Sequence, residues 1–361
     1  MNNDAAWDIN RVVSEESTVE KFVFTKDTAV AESVLYAYPD YASRTVICCS
    51  TQSGCPVGCR FCGAGDYFVR NLTTEEIVAQ PKHLLETIEK ETGTKASDIE
   101  KLQIMFMSMG EPMLNMNRMI ESITELYELY PNAALLVSSS GPKVNYEKFI
   151  DFAATIPTVG LQFSVHESTN EARDKLVPFK AKLTLEEIAE KGVEFFEKTG
   201  RNPFFNYCVH DRNASQEDVN RLKELFDPRI WQATISVICE RDETLRAAHE
   251  RQYELTTSFM SKMLEAGYST RRFDPAGQSI GGGCGQLFYV QQWFKENSDK
   301  TKASVGNNLP SVHPSGSTAK NEPPMSEEFS KNFENPRTLI NIYPKNNSDS
   351  SGSCCGGNCC V

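Results

Sequence analysis

Short apolar runs alternate with longer amphipathic segments over most of the chain. The short runs predict strands at 45–50, 102–108, 134–139, 158–165, 204–210 and 230–238. The longer segments predict one helix capped by Thr74 and others near 116–129, 145–153, 184–199, 215–226 and 246–266. Repeated strand–helix units are typical of a parallel sheet covered by helices, with ligands at the carboxyl ends of the strands.

The two ends of the chain differ from this central part. Residues 1–20 are polar and predict a mobile segment, and two extended runs, 21–24 and 31–38, follow them. Residues 296–361 are rich in Ser, Asn, Lys, Pro and Gly, which predicts disorder. We therefore expect an N-terminal extension with β segments over 1–44, a core over 45–294 and a disordered tail over 295–361.

Composition and charge narrow the class of protein. Of the 361 residues, 40% are hydrophobic and 24% are charged, which is ordinary for a soluble globular protein. The first residues lack the basic-then-apolar pattern of a signal peptide, so we expect a cytoplasmic location. A net charge of −12 argues against nucleic-acid binding through phosphate contacts alone, although a local basic patch stays open. Twelve cysteines in a reducing compartment favour metal or redox chemistry over disulfides.

Three cysteines, Cys55, Cys59 and Cys62, lie close together in the stretch GCPVGCRFCG, residues 54–63. A zinc knuckle needs four ligands, usually from two paired cysteine motifs, and the next cysteine downstream is Cys208. A cubane iron–sulfur cluster fits better, because thiolates suit such a cluster and a short loop can wrap around it. Three protein ligands would leave one iron free to bind a small molecule.

The C-x3-C-x2-C spacing after a predicted strand resembles that of the radical S-adenosylmethionine (SAM) superfamily. The resemblance implies that Cys55, Cys59 and Cys62 hold a [4Fe–4S] cluster whose free iron chelates the methionine moiety of SAM. An electron from the cluster then breaks the sulfonium bond and yields a 5′-deoxyadenosyl radical. The resemblance also implies that the core over 45–294 is an α/β fold, a partial (β/α)6 barrel.

Further motifs at the ends of predicted strands match this superfamily. A Gly-Glu-Pro turn that contains Gly110 and Glu111 follows the second strand of the series, and in the superfamily such a turn binds the amino group of the cofactor. Ser138 ends the third strand, while Ser164 and His166 end the fourth. By resemblance, these five residues are predicted to bind SAM.

Two more blocks resemble the RlmN and Cfr type of RNA methyltransferases, which modify adenine in large-subunit ribosomal RNA. One is TVICCSTQSGC, which contains Cys48, and the other is GGGCGQL, which contains Cys284. With the stretch RNLTTEEI at 70–77, the resemblance covers roughly residues 20–290. It implies an adenine ring carbon as the target, with C2 favoured, an RNA substrate in ribosomal or transfer RNA, and a low-potential reductant such as flavodoxin or ferredoxin.

The resemblance implies a mechanism with two thiols, because the ring carbons of adenine are not nucleophilic. Cys284 matches the cysteine that is methylated first and that carries the methyl group to the base. Cys48 matches the resolving thiol, which releases the product as a disulfide forms. Glu32 matches the general base. Neighbours on a strand face opposite ways, so Cys48 and Cys49 are not both expected at the site, and we assign Cys49, Cys208 and Cys239 to packing.

The sequence departs from this family at several points. Members carry a helical N-terminal domain that helps to grip RNA, whereas a short polar segment precedes Glu32 here. The fifth strand–helix unit of the family ends in an Ile-Pro-x-Asn-Pro segment that contacts the cofactor ribose, and we expect Glu240 or a neighbour to replace it. The acidic residues before the carrier cysteine are absent from 278–283, and the added tail ends in CCGGNCC.

These departures leave other functions open. The same cysteine chemistry could act on another nucleic acid, a nucleotide or a peptide. A protein of another class, a non-catalytic iron–sulfur or redox carrier, would use the four thiols of the tail for metal traffic. Such a carrier does not need the pair Cys48 and Cys284.

Overall fold

The computed structural model describes residues 7–15, 17–237 and 246–273, together with 277, 280, 290, 293, 294, 296–300, 302 and 303. Its strands are β1 (Asp8–Val13), β2 (Val19–Lys26), β3 (Ala29–Ala37), β4 (Arg44–Cys49), β5 (Gln52–Gly54), β6 (Tyr67–Asn71), β7 (Lys101–Phe106), β8 (Ala134–Ser139), β9 (Val159–Ser164), β10 (Phe204–Val209), β11 (Gln232–Val237), β12 (Thr270–Phe273) and β13 (Lys302–Ala303). Its α-helices are α1 (Thr74–Thr92), α2 (Met116–Leu129), α3 (Tyr146–Thr155), α4 (Asn170–Leu176), α5 (Leu185–Thr199), α6 (Gln216–Leu225) and α7 (Arg246–Glu265). Short 3-10 helices lie at Gly63–Asp66, Ala96–Asp98 and Pro112–Asn115.

One large sheet organises the molecule, in the strand order β1-β2-β3-β4-β7-β8-β9-β10-β11-β12. Within this sheet, β4 and β7 to β12 run parallel, and β1 to β3 join them antiparallel at one edge. The strands β13, β6 and β5 form a second, three-stranded antiparallel sheet. Within the described ranges β1 and β12 are the two edges, so the barrel is open. The predicted α/β fold is confirmed, and the six predicted strands form the parallel part with β12 added.

Strand alternation divides the buried side chains between two faces of the sheet. One face packs under the helices and includes Ile47, Cys49, Ile104, Phe106, Leu135, Leu161, Phe163, Phe205 and Ile235. The opposite face, called here the barrel interior, includes Val34, Val46, Cys48, Met105, Leu136 and Phe204. A residue of the sheet can therefore be assigned to the helix side or to the interior from its register.

The N-terminal expectation was wrong for part of the segment 1–20. Residues 8–13 form β1, which pairs antiparallel with β2. Arg11 on this strand donates to Glu20 Oε2 at 2.6 Å and to Glu91 Oε2 at 2.8 Å. Polar and charged side chains are typical of an exposed edge strand, which is why the segment resembled a mobile one.

Helix α1 begins one residue earlier than the sequence predicts. Its cap is Thr73, whose side chain accepts from Glu76 N at 3.3 Å while Glu76 Oε2 accepts from Thr73 N at 2.9 Å. This reciprocal capping box satisfies two backbone N–H groups that the first helical turn leaves unpaired. In the described parts of the chain, no helix is both long and apolar enough to cross a membrane.

Candidate active site

The three-cysteine loop connects β5 to β6 at the carboxyl end of β4. Cys55 N donates to Tyr67 O at 2.8 Å, and Arg60 N donates to Leu176 O at 3.0 Å. Gly54 precedes the loop at φ 78°, and a Cβ there would lie 2.1 Å from Tyr67 O. Only glycine fits this close approach of two backbones. The loop is therefore fixed on one side by β6 and on the other by the end of α4.

The three thiols share one environment. Cys55, Cys59 and Cys62 are free cysteines, and an apolar cluster with Val57, Phe61, Ala64 and Met109 surrounds them. Burial raises the pKa of Cys55 and of Cys59, and the neighbouring thiols of the set raise both further. In the described part of the chain, no three His, Cys, Asp or Glu side chains are arranged to hold a single metal ion. A cubane cluster differs in this respect, because each cysteine binds a different iron.

The Gly-Glu-Pro turn lies next to this loop and anchors a buried carboxylate. Gly110, at φ 100°, packs so closely on Gln52 that a Cβ would lie 2.7 Å from Gln52 Cβ. Gln52 Oε1 accepts from Glu111 N at 2.7 Å. Glu111 Oε1 accepts from Met113 N at 3.0 Å and from Ser139 Oγ at 2.8 Å. Its Oε2 accepts from Ser140 N and Ser140 Oγ, both at 2.7 Å.

These four hydrogen bonds do not fully offset the burial of Glu111, so its pKa is raised: burial raises it more than the bonds from Ser140, Met113 and Ser139 lower it. The carboxylate also acts electrostatically on Cys55 and Cys59 and raises the pKa of each thiol. Glu111 therefore lies close enough to the cysteine loop to act on its thiols.

Ser138 and Ser164 are the interior-facing serines at the ends of β8 and β9. Ser138 Oγ accepts from Gln162 Nε2 at 3.1 Å, and Ser164 is paired in register with Asn206 on β10. Asn206 is in turn paired with Thr234 on β11. A row of polar side chains thus crosses the interior at the level of the predicted SAM site.

His166 occupies a strained backbone position at the end of β9. Its φ is 62°, which is uncommon for a residue with a Cβ and is often found at functional sites. Its Nδ1 accepts from Cys208 N at 3.2 Å, and its ring contacts Phe61 of the cysteine loop edge-on, with 5.1 Å between ring centroids. Burial lowers the pKa of His166 to about 3, helped by Arg173 and His210. The ring is therefore neutral, with its proton on Nε2.

Two residues that sequence reasoning missed hold these elements together. Arg173, 1% exposed, donates to Ser140 O at 2.5 Å and to Leu183 O at 3.0 Å. Asn213, also 1% exposed, donates to His166 O at 2.8 Å and to Cys208 O at 2.9 Å. Arg173 lies in the charged helix α4 and Asn213 in a polar loop, so neither stretch signals the burial of its residue.

Cys48 and Cys49 lie on opposite faces of β4, as alternation predicts. Cys48 belongs to the interior cluster, whereas Cys49 packs on the helix side. Burial raises the pKa of the Cys48 thiol to about 12. Glu32 faces the interior on β3, two residues before Val34, which is paired with Cys48. Cys284 and Glu240, the other predicted site residues, lie outside the described residues.

Comparison with known proteins places this geometry in a family. No family model matches the chain. A probable dual-specificity RNA methyltransferase RlmN of Thermotoga neapolitana is 32% identical over 284 residues, which cover 77% of this chain and 78% of the relative. The ribosomal RNA large subunit methyltransferase N of Nitrosopumilus maritimus is 34% identical over 233 residues, or 62% of this chain and 64% of the relative. A radical SAM methyltransferase from Sphaerobacter thermophilus has a similar structure, with a TM-score of 0.65 at 26% identity over 78% of this chain and 81% of that one.

The chain belongs to the RlmN family of radical SAM RNA methyltransferases. The predicted family is thus confirmed, and RlmN membership implies a [4Fe–4S] cluster and SAM as the cofactors.

The residues of this RlmN relative fit both cofactors. The donor set for the cluster is three free thiols on one loop in an apolar setting, which suits iron–sulfur ligation. Gln162 Oε1 and Thr234 Oγ1 are among the polar atoms of the barrel interior that lack a hydrogen-bond partner within the described residues. Their side chains are only 2% and 3% exposed. Buried polar atoms of this kind are costly unless a ligand or water satisfies them, and the hydroxyl and amino groups of a nucleoside would do so.

Proposed function

We propose that this chain transfers a methyl group from SAM to a ring carbon of adenine in RNA, with C2 favoured. The observation that carries the proposal is the orientation of Cys48. This thiol faces the barrel interior beside the strand of Glu32, whereas its neighbour Cys49 packs under the helices. A resolving thiol has to reach the substrate, so the proposal requires this face for residue 48.

The cofactor roles follow the family motifs. Cys55, Cys59 and Cys62 would hold the cluster, and Gly110, Glu111, Ser138, Ser164 and His166 would hold SAM, with Glu240 as a further candidate. When bound, the cluster and SAM supply the methyl group and the radical chemistry. The neutral His166 would offer an Nε2–H donor, and the Glu111 carboxylate would face the amino group of SAM.

The chain's own thiols would complete the transfer. Cys284, as a thiolate, accepts the methyl group. Its carbon later loses one hydrogen atom to the radical that SAM would supply and becomes bonded to the adenine ring, and the surplus electron of the adduct would return to the cluster. Glu32 accepts the proton that the ring carbon loses. The Cys48 thiolate then forms an S–S bond with Cys284 while the bond from sulfur to carbon breaks. The electron pair leaves with the carbon, which takes up a proton to become the methyl group, and two electrons later reduce the disulfide.

The substrate and partners form the finer part of the proposal. The names of the relatives include a dual-specificity RNA methyltransferase and a ribosomal RNA methyltransferase, so we expect ribosomal RNA, transfer RNA or both as substrates. A low-potential reductant such as flavodoxin or ferredoxin would supply the electrons. We expect these partners to meet in the cytoplasm.

The decisive experiment is replacement of Cys48 by alanine. Without the resolving thiol, the RNA should stay covalently bound to Cys284, so Cys48→Ala purified from cells should carry a nuclease-sensitive RNA adduct. Sequencing the trapped RNA would identify the substrate. Recovery of a nucleotide or a peptide instead would favour the same chemistry on another substrate.

Two matched variants control this experiment. Cys49→Ala changes a thiol on the opposite face of β4 and should form no adduct. The double variant of Cys48→Ala with Cys284→Ala should also be free of adduct, because the carrier is gone. An adduct-free Cys48→Ala protein with normal turnover would contradict the proposal.

A further inference from the structure

A buried ion pair in the barrel interior joins Glu32, the predicted general base, to a lysine that the sequence analysis did not assign to the site. Lys21 Nζ on β2 lies 3.1 Å from Glu32 Oε2 on β3, and the two side chains are 0% and 2% exposed. We propose that Lys21 is a positioning residue that keeps Glu32 ionised, so that the carboxylate can accept a proton from the substrate. The geometry alone supports the ion pair. The statement that the proton comes from the substrate rests on the proposed function.

The register of three strands places the pair beside the resolving thiol. Lys21 is paired with Val34 on β3, and Val34 is paired with Cys48 on β4. Lys21, Val34 and Cys48 therefore form one row on the interior face, with about 5 Å between neighbouring strands. Val23, which is paired with Glu32, belongs to the apolar cluster of Cys55. The ion pair thus lies between the Cys48 row and the cysteine loop.

Few other groups near Glu32 can set its charge. On β2 the interior neighbours of Lys21 are Val19 and Val23, and the carboxylate of Glu20 lies on the opposite face, where it contacts Arg11. On β4 the titratable interior groups are Cys48, whose pKa burial raises to about 12, and Arg44, which lies at the opposite end of the strand and binds Gln103 Oε1. Of the cations on these strands, Lys21 is the one in contact with Glu32.

The electrostatics explain why such a partner is needed. Burial raises the pKa of Glu32, and the charge of Lys21 lowers it, with burial the larger effect. Lys21 Nζ contacts Glu32 Oε2 as an ion pair, and Lys21 lowers the pKa of Glu32 more through its charge than through a hydrogen bond. Removing the ammonium would leave only the effect of burial. The pKa of the carboxyl group would then rise further, which favours the protonated form that cannot act as a base.

Stability alone does not account for this pair. A buried ion pair is often no more stabilising than apolar side chains of similar volume, because both charges lose their hydration. A carboxylate that must gain a proton during a reaction has to be ionised at rest. On protonation, Glu32 becomes a neutral acid, the electron pair of the broken C–H bond stays with the substrate, and Lys21 stays charged.

The test compares Lys21→Met with Lys21→Arg in the full-length protein with its cluster. A facing charge at this distance shifts a carboxyl pKa by about 1–3 units. We therefore expect Lys21→Met to shift the acidic limb of the pH–rate profile of methyl transfer to higher pH by at least about one unit, which is at least about a tenfold loss of rate at pH values below the wild-type limb. Lys21→Arg keeps the charge and should restore the wild-type profile.

Infrared titration provides a readout that does not depend on activity. Glu32→Gln identifies the carboxyl band, so the protonation of Glu32 can be followed without RNA or SAM. We expect an ionised Glu32 near neutral pH in the wild type and a protonated one in Lys21→Met. If the proposed function fails but this shift is seen, the ion-pair assignment still holds.

A matched control is Lys26→Met, which removes the other lysine–glutamate contact of β2. Lys26 Nζ lies 2.6 Å from Glu76 Oε1, and Arg70 also binds Glu76. This variant should change neither the pH profile nor the band of Glu32. The proposal is overturned if Glu32 stays ionised in Lys21→Met, or if it is already protonated in the wild type near neutral pH. A Lys21→Met protein that is only less stable, with an unchanged Glu32 titration, would reduce Lys21 to a structural role.

Discussion

Replacing Glu111 by glutamine tests the hydrogen-bond network that anchors the cofactor turn. The carboxylate accepts bonds from two backbone N–H groups, those of Met113 and Ser140, and from two hydroxyl groups. A glutamine side chain keeps one acceptor oxygen and turns its NH2 group toward the other pair of donors. The serine hydroxyls can rotate and accept, but a backbone N–H cannot. Either Met113 N or Ser140 N is therefore left without an acceptor.

The size of the effect follows from this count. One buried unsatisfied N–H costs about 1–3 kcal/mol, and losing the charge of the acceptor weakens the remaining bonds. Removing the charge also relieves part of the burial cost that raises the pKa of Glu111. We expect Glu111→Gln to lower the free energy of unfolding by about 1–3 kcal/mol and to weaken SAM binding.

Urea unfolding and equilibrium titration with SAM measure the two effects separately. Glu187→Gln is the matched control, because Glu187 also accepts from a backbone N–H, that of Thr184 at 2.7 Å, but in an exposed capping box. Water can satisfy the freed group there, so Glu187→Gln should cost well under 1 kcal/mol and leave SAM binding unchanged. A Glu111→Gln protein as stable as the wild type would show that relief of burial outweighs the network, and the reasoning would fail.

Three further predictions concern the thiols and their loop. Cys59→Ala should abolish assembly of an oxygen-sensitive [4Fe–4S] cluster and cleavage of SAM, and stable binding of one zinc with no iron uptake would refute this assignment. Gly54→Ala should also prevent iron incorporation, because the new Cβ meets Tyr67 O at 2.1 Å, whereas Gly93→Ala, at the same φ of 78° with no atom within 4 Å, should leave iron content unchanged. Peptide mass spectrometry after incubation with SAM should find S-methylcysteine at Cys284, and methyl transfer by Cys284→Ala would contradict the carrier role.

The central strands could be predicted from sequence because each is a short apolar run between polar turns. The run at 134–139 coincides with β8, and the others differ from the observed strands by one or two residues at their ends. The edge strands β1 and β12 were missed for a physical reason. Their sequences, DINRVV and TRRF, contain charged residues because an edge strand is not covered on all sides.

Some parts of the site follow from local sequence patterns, and others depend on strand pairing between distant residues. Cluster spacing and the Gly-Glu-Pro turn are local patterns, so the sequence reveals them directly. The contact of Lys21 with Glu32 depends instead on the pairing of β2 with β3, and the sequence placed Lys21 only in an extended run. The sequence does not indicate the burial of Gln162 and Thr234 either, because a polar residue in a strand is usually interpreted as facing solvent.

The burial of Cys48 distinguishes it chemically from the methyl-carrying thiol of the proposed mechanism, Cys284. SAM methylates thiolates, so a resolving cysteine that was ionised at rest would compete with the carrier for the methyl group. Burial raises the pKa of Cys48 to about 12, which leaves fewer than about one thiol in ten thousand ionised near neutral pH. In the proposed mechanism, the interior position would protect Cys48 from methylation while keeping it on the face that the substrate has to reach. In this mechanism the Cys48 thiol would lose its proton only after the RNA is bound to the sulfur of Cys284. Release of the product would then be the last step.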